Sequence, residues 1–230
     1  MNEFMNRDEM SAVYTPTFKA PRTFSQVVQD LWGISETDRE GAAMNTEEAG
    51  QTTIPAGEYR LPSFEQLWAV SDDQVDWTDA LVYHSDPERL IPQERWLYFH
   101  QMAPKILQGD LAAYVQVLQK MNPLGDMTPY VQQQSVIAAS PDTVQVKFHV
   151  KDAYMNDIDH MKRYLSAIAL RSARDLIALL PIEKVHIDAM DDNETLLSVT
   201  YLKKTMHKTS FGFLDPVSFT DQSGGIWNLK

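Results

Sequence analysis

The chain has 230 residues, 43% of them hydrophobic, with 32 acidic and 20 basic side chains and a formal charge of -12; that is enough apolar material for one sizeable core on a surface that repels the phosphates of nucleic acid. It contains no cysteine, which excludes disulfides, thiolate zinc sites, iron–sulfur clusters and cysteine nucleophiles. No apolar run approaches the roughly 18 to 20 residues needed to cross a bilayer, so neither a membrane nor nucleic acid is an expected partner, and the acidic surface favours a basic protein partner through long-range steering.

Residues 1–60 read as a largely flexible arm, because they mix three prolines with many Ser, Thr and Asn and the acidic run ETDREGAAMNTEE, a composition that buries little surface per residue. The start, MNEFMNRDE, has neither the basic opening nor the apolar run of a secretory or transit peptide, which points to the cytoplasm. Inside the arm, TFSQVVQDLWGI spaces Phe24, Val27, Val28, Leu31 and Trp32 at helical period and ends at Gly33. That spacing predicts a short amphipathic helix at about 24–32, suited to docking in a partner's groove.

Residues 61–230 read as a single α+β domain. The first part, 61–130, is expected to be helical. SFEQLWAV offers Ser63 as a cap, IPQERWLYFHQMAPKILQGD suggests a helix with Pro92 in its first turn and a kink or break before Pro104, and Asp110 caps LAAYVQVLQKM, which Asn122 and Pro123 stop.

From 131 to 215 the period changes. TVQVKFHV alternates strictly, placing Val144, Val146, Phe148 and Val150 on one face and Gln145, Lys147 and His149 on the other, with QSVIAAS as its hairpin partner through Ser140, Pro141 and Asp142. A long helix follows at about 153–180, with Asp152 as its cap and a stripe of Tyr154, Ile158, Met161, Leu165, Ile168, Ser172, Leu176 and Leu179. KVHIDAM and TLLSVTYLKK then form a second hairpin around the acidic turn DDNE. The order strand, strand, helix, strand, strand predicts an antiparallel sheet of about four strands crossed by one long helix. Residues 216–230 read as a flexible tail in which Trp227, beyond Gly224 and Gly225, is a candidate partner-binding aromatic.

Chemistry is sparse. DDQVD, at 72–76, spells an aspartate-rich diphosphate motif, and Asp72, Asp76 and Asp79 have the one-turn spacing of carboxylates that share a cation. The terpene and prenyl synthases that carry this motif are all-helical bundles with a second metal motif, so helix capping is the expected role. Asp188, Asp191, Asp192 and Glu194 bracket a hairpin turn without an EF-hand's ligand spacing. No glycine-rich phosphate loop occurs, and no cofactor is expected.

His149 and His186 fall on the polar face of their strands with Asp188 and Ser198. Ser198, His186 and Asp188 are the residue types of nucleophilic catalysis, but no strand-to-helix Gly-x-Ser-x-Gly elbow accompanies them. The leading expectation is a non-enzymatic interaction protein, an adaptor, inhibitor or complex subunit. The alternatives are a hydrolase using the sheet-face patch, and a subunit that self-associates into a homo-oligomer through sheet edges.

Overall fold

The structure, a computed structural model, describes residues 13–18, 63–71, 74–82, 93–192 and 194–229. The helix expected at 24–32, with Phe24, Val27, Val28, Leu31 and Trp32, lies outside the described residues, as do Asp72 and Pro92.

The described chain runs β1 (Val13–Tyr14), α1 (Trp77–Ala80), α2 (Gln93–Leu107), α3 (Leu111–Met121), β2 (Gln133–Ser140), β3 (Thr143–His149), α4 (Ile158–Leu179), β4 (Lys184–Asp191), β5 (Glu194–Leu202), α5 (Lys203–Met206), α6 (Pro216–Gln222) and β6 (Ile226–Trp227), with single 3-10 turns between some of them. The mixed α+β class agrees with the sequence reading.

All six strands form one sheet in the order β1-β2-β3-β4-β5-β6, not four strands, and it is not antiparallel throughout. The two expected hairpins are present as β2–β3 and β4–β5. Between them, however, β3 and β4 pair in parallel, from Thr143↔Lys184 to His149↔Met190. The connection explains this. A helix of 22 residues rises about 33 Å at 1.5 Å per residue, longer than either strand, so it returns the chain to the end where β3 began and β4 sets off in the same direction. The outer strands are two residues each. Val13 and Tyr14 pair with Ile137 and Val136 on one edge, and Trp227 and Ile226 with Leu197 and Ser198 on the other.

Alternation decides which face is covered. Val136, Ala138, Val144, Val146, Phe148, Val185, Ile187, Ala189, Leu197, Val199 and Tyr201 are all buried, and they lie on the face where α4 packs. Asp157, not Asp152, caps α4 by accepting from the His160 N–H at 2.9 Å; residues 152–154 form a separate 3-10 turn. Tyr164, Leu165, Ile168 and Leu176 are sealed in the interior, whereas Ile158, assigned to the stripe by spacing, is exposed in the first turn.

The other side of α4 is covered too, by residues 63–71 and 74–82. Phe64 packs edge-on against Tyr154, His160 and Tyr164, with ring centroids 5.7, 5.0 and 5.7 Å away. Val75 N–H donates to Ala178 O at 2.8 Å and Trp77 Nε1 to Leu179 O at 2.7 Å. The helix expected from Ser63 is only a 3-10 turn at Leu67–Ala69, because Gln66 adopts φ 72, a left-handed conformation that breaks helical propagation. Pro104, by contrast, is carried inside α2 near its end, where the chain stops at Gly109 (φ +77). Asp110 and Asn122 bound α3 as expected, with Asp110 Oδ1 accepting from Ala112 and Ala113 N–H and Asn122 at φ 46.

The stretch 216–230, read as a flexible tail, holds α6 and β6. Asp215 caps α6 through Ser218 N–H at 2.9 Å, and Tyr201 OH pairs with Thr220 Oγ1 at 2.7 Å. Gly225 lies against that helix so closely that a Cβ there would come 2.8 Å from Thr220 Cγ2. Among the described residues, no helix is long and apolar enough to cross a membrane.

Candidate functional site on the open sheet face

A sheet with helices on one side leaves its second face to polar residues at alternate positions. Here Ser135, Ile137, Gln145, His149, His186, Asp188, Met190, Ser198 and Thr200 are half-buried and Lys147 is exposed. No described element covers them. Register places Gln145 beside His186, Lys147 beside Asp188, His186 beside Thr200 and Asp188 beside Ser198.

The centre of this face is one set of polar contacts on three strands. Ser198 Oγ donates to Asp188 Oδ1 at 2.9 Å, His186 Nε2 lies 3.2 Å from the same oxygen, and Gln145 Nε2 donates to Asp188 Oδ2 at 3.0 Å. His186 Nδ1 is 3.0 Å from Thr200 Oγ1. The tautomer of the ring sets which partner donates in the His186–Thr200 bond.

This order decides what the patch can do. Nucleophilic catalysis needs the imidazole between hydroxyl and carboxylate, with one ring nitrogen free to take the hydroxyl's proton. Here the carboxylate stands between hydroxyl and imidazole, and the imidazole's hydrogen bond runs from Nδ1 to Thr200 instead. The arrangement is a lateral clamp across β3, β4 and β5. Sequence reasoning placed His186, Asp188 and Ser198 on one face, and they do meet; it did not pick out Gln145 and Thr200 as their partners, although the period-two pattern puts both on that face. His149 pairs in register with Met190, four residues along β3 from Gln145, and makes no hydrogen bond to the clamp.

The other described candidates make contacts within their own fold. Asp76 Oδ1 caps α1, accepting from Thr78 and Asp79 N–H at 2.9 and 3.0 Å, so its carboxylate is used by the backbone; Asp79 stands in the same turn. Among the described residues there is no group of three or more His, Asp and Glu that could hold a metal ion. Trp227, taken as an aromatic for a partner, is half-buried on its own domain. Its Nε1 donates to Asp221 Oδ1 at 2.7 Å, and the Lys162 ammonium of α4 lies 5.4 Å from the ring centroid.

Concave space lies elsewhere. A cavity of about 440 Å³ opens between α4, α5 and the segment around Ser71, walled by Arg174, Phe211 and His207 among others. Neither Arg174 nor this cavity was singled out by sequence reasoning, although KKTMHK, a cationic run in an acidic chain, marks one wall. Compared with protein-family models, with curated proteins and with solved structures, the chain matches none.

Proposed function

We propose that the chain is a non-enzymatic protein-interaction module of the cytoplasm, an adaptor, inhibitor or complex subunit, which docks a basic protein partner on the open face of its sheet. The observation that carries this reading is the His186–Asp188–Ser198 clamp on an uncovered face. It sets the carboxylate, not the imidazole, beside the Ser198 hydroxyl, and its hydrogen bonds pre-organise a polar surface that a partner can meet at little entropic cost.

Charge supports the choice of partner. Asp191, Asp192 and Glu194 are exposed at one end of the face, and Asp142 and Glu183 at the other, on a chain of net charge -12. Size adds a condition. The four long strands β2 to β5, each about 4.8 Å wide, with seven residues at about 3.3 Å each give a face of roughly 440 Å², against about 800 Å² per partner in a standard interface. A second contact element is therefore required, and the amphipathic stretch Phe24, Val27, Val28, Leu31 and Trp32 has the composition for it.

The test is capture of a basic partner by the full chain at low and high salt, compared with Ser198→Arg on the face and with Leu31→Ala/Trp32→Ala in the arm. Truncation at Leu61 is unsuitable, since it would remove β1, whose Tyr14 is buried. Capture that is salt-sensitive and lost in both variants, at unchanged melting temperature, is the expected result. Undiminished capture by both variants, or a concentration-dependent homo-oligomer with no heterologous partner, would overturn the reading.

A further inference from the structure

Arg174 is a half-buried cation with no carboxylate partner among the described residues. Its guanidinium is fixed on three sides. Nη1 donates to the carbonyls of Trp68 and Val70, Nη2 donates to Ser71 Oγ at 3.0 Å, and Phe211 lies on one flat face, 3.9 Å from ring centroid to Cζ. Burial pulls its pKa below the ordinary arginine value, yet a guanidinium stays charged.

Among the described residues, those contacts leave the Nε–H and one Nη2–H without an acceptor. Nε is not among the buried polar atoms that lack a partner, so that edge of the fork reaches solvent. Arg174 is also a wall of the 440 Å³ cavity, a volume within the range of small-molecule sites. Two N–H groups on a rigid planar edge match the two oxygens of a carboxylate.

The rest of the cavity sets the remainder of the ligand. Ile177, Met206 and Phe211 supply apolar wall, and His207 and Thr209 supply polar atoms at the rim. One wall is cationic in an otherwise acidic protein. Residues 203–214 carry Lys203, Lys204, His207 and Lys208 and no acid, and none of these lysines is in an ion pair among the described residues.

We propose that this cavity is a binding site for an apolar carboxylate, either a small aromatic or branched acid or the C-terminus of a peptide ending in such a residue, with its oxygens forked by Nε and Nη2 of Arg174 and its body against Ile177 and Met206. The proposal does not depend on the sheet face, and the two can fail separately.

The experiment titrates the full chain with hydrocinnamate, with its uncharged amide and with the tripeptide Ala-Ala-Phe bearing a free or an amidated terminus, following heat or amide chemical shifts. Two variants go with it. Arg174→Lys keeps the charge and loses the fork; Ala178→Leu fills the cavity wall while keeping every hydrogen bond of Arg174. Expected are saturation with a Kd of about 1 mM or tighter, at least a tenfold loss on amidation, and at least a tenfold loss in Ala178→Leu at an unchanged melting temperature, with a similar loss in Arg174→Lys. The tighter of the acid and the peptide identifies the natural source. The proposal is overturned if no acid saturates the protein by about 10 mM, if acid and amide bind alike, or if Ala178→Leu binds with parental affinity.

Discussion

Arg171 and Asp175 face each other one turn apart inside α4, with Nε 2.6 Å from Oδ2 and only 6% and 0% of their side chains exposed. Arg171 Nη2 also reaches Asp126 Oδ2 at 3.1 Å, tying the longest helix to the turn after α3. Neither charge is solvated by water, so each depends on the other. Asp175→Ala leaves the buried guanidinium with Asp126 alone and should cost about 3 kcal/mol, the lower end for a broken buried pair, whereas Arg171→Met with Asp175→Leu should cost less, because the one charge that loses its cation is then Asp126, the most exposed of the three. Urea unfolding of the three proteins decides it; equal losses in the single and double variants would show that packing, not charge pairing, sets the stability here.

Gly109 illustrates a backbone that only glycine serves. It takes φ +77 between α2 and α3, and a Cβ there would sit 2.7 Å from Pro141 Cβ in the β2–β3 turn. Gly109→Ala combines left-handed strain with a collision against a stiff ring, and should lose about 1–3 kcal/mol, lowering the melting temperature by about 2–4 °C for each kcal/mol. Gly212→Ala is the control, because the added methyl would meet nothing within 4 Å and the change in stability should stay within about 0.5 kcal/mol.

How much of this was legible in the sequence depends on the range of the cause. Asp110 and Asn122 bound α3 as read, since capping is local, and the faces of β3 and β4 followed from their alternation. What misled was tertiary. Two adjacent hairpins separated by a helix can join in either sense, and only the span of α4 made the join parallel. Val13 and Tyr14 became a strand because Val136 and Ile137 offered an edge, not because two residues announce one. The clamp's residues could be assigned to a face, but the order Ser198, Asp188, His186 could not, since it depends on side-chain geometry across three strands. Arg174 and Phe211 are 37 positions apart, and no periodicity links them.

Asp215 supplies an acid-sensitive contact. The Ser218 hydroxyl, then its N–H, and more weakly Arg163 hold this carboxyl below its usual range against a small opposing effect of burial. A depressed folded pKa means that the contribution is complete above the unfolded value of about 4 and is lost as pH falls through the folded one. Asp215→Ala should therefore be destabilised by about 1 kcal/mol at neutral pH, as for a lost helix cap. The gap to the parent should close as the pH drops below about 4, and a gap independent of pH down to acid unfolding would contradict the assignment.

The clamp itself predicts coupling. If Ser198 and Asp188 act together, a double-mutant cycle with Ser198→Ala and Asp188→Asn should return about 0.5–1.5 kcal/mol of interaction, with each single variant folded. A coupling near zero would mean that the face is held by the strands alone and that its polar groups are free to rearrange on meeting a partner.

Trp227 ends the chain's last strand, and its environment makes a kinetic prediction more telling than a thermal one. β6 is joined to β5 through two residues only, while the indole is held by Asp221 and Lys162. Trp227→Ala removes both side-chain holds and leaves the short ladder, which few residues can sustain alone. Amide exchange at Ile226 and Asn228, the latter donating to Leu196 O at 2.9 Å, should accelerate by about tenfold or more, with exchange in β3 and β4 unchanged because the core does not rest on this edge. Unaltered exchange at 226–228 would leave the indole without a structural role and return it to the surface available for a partner.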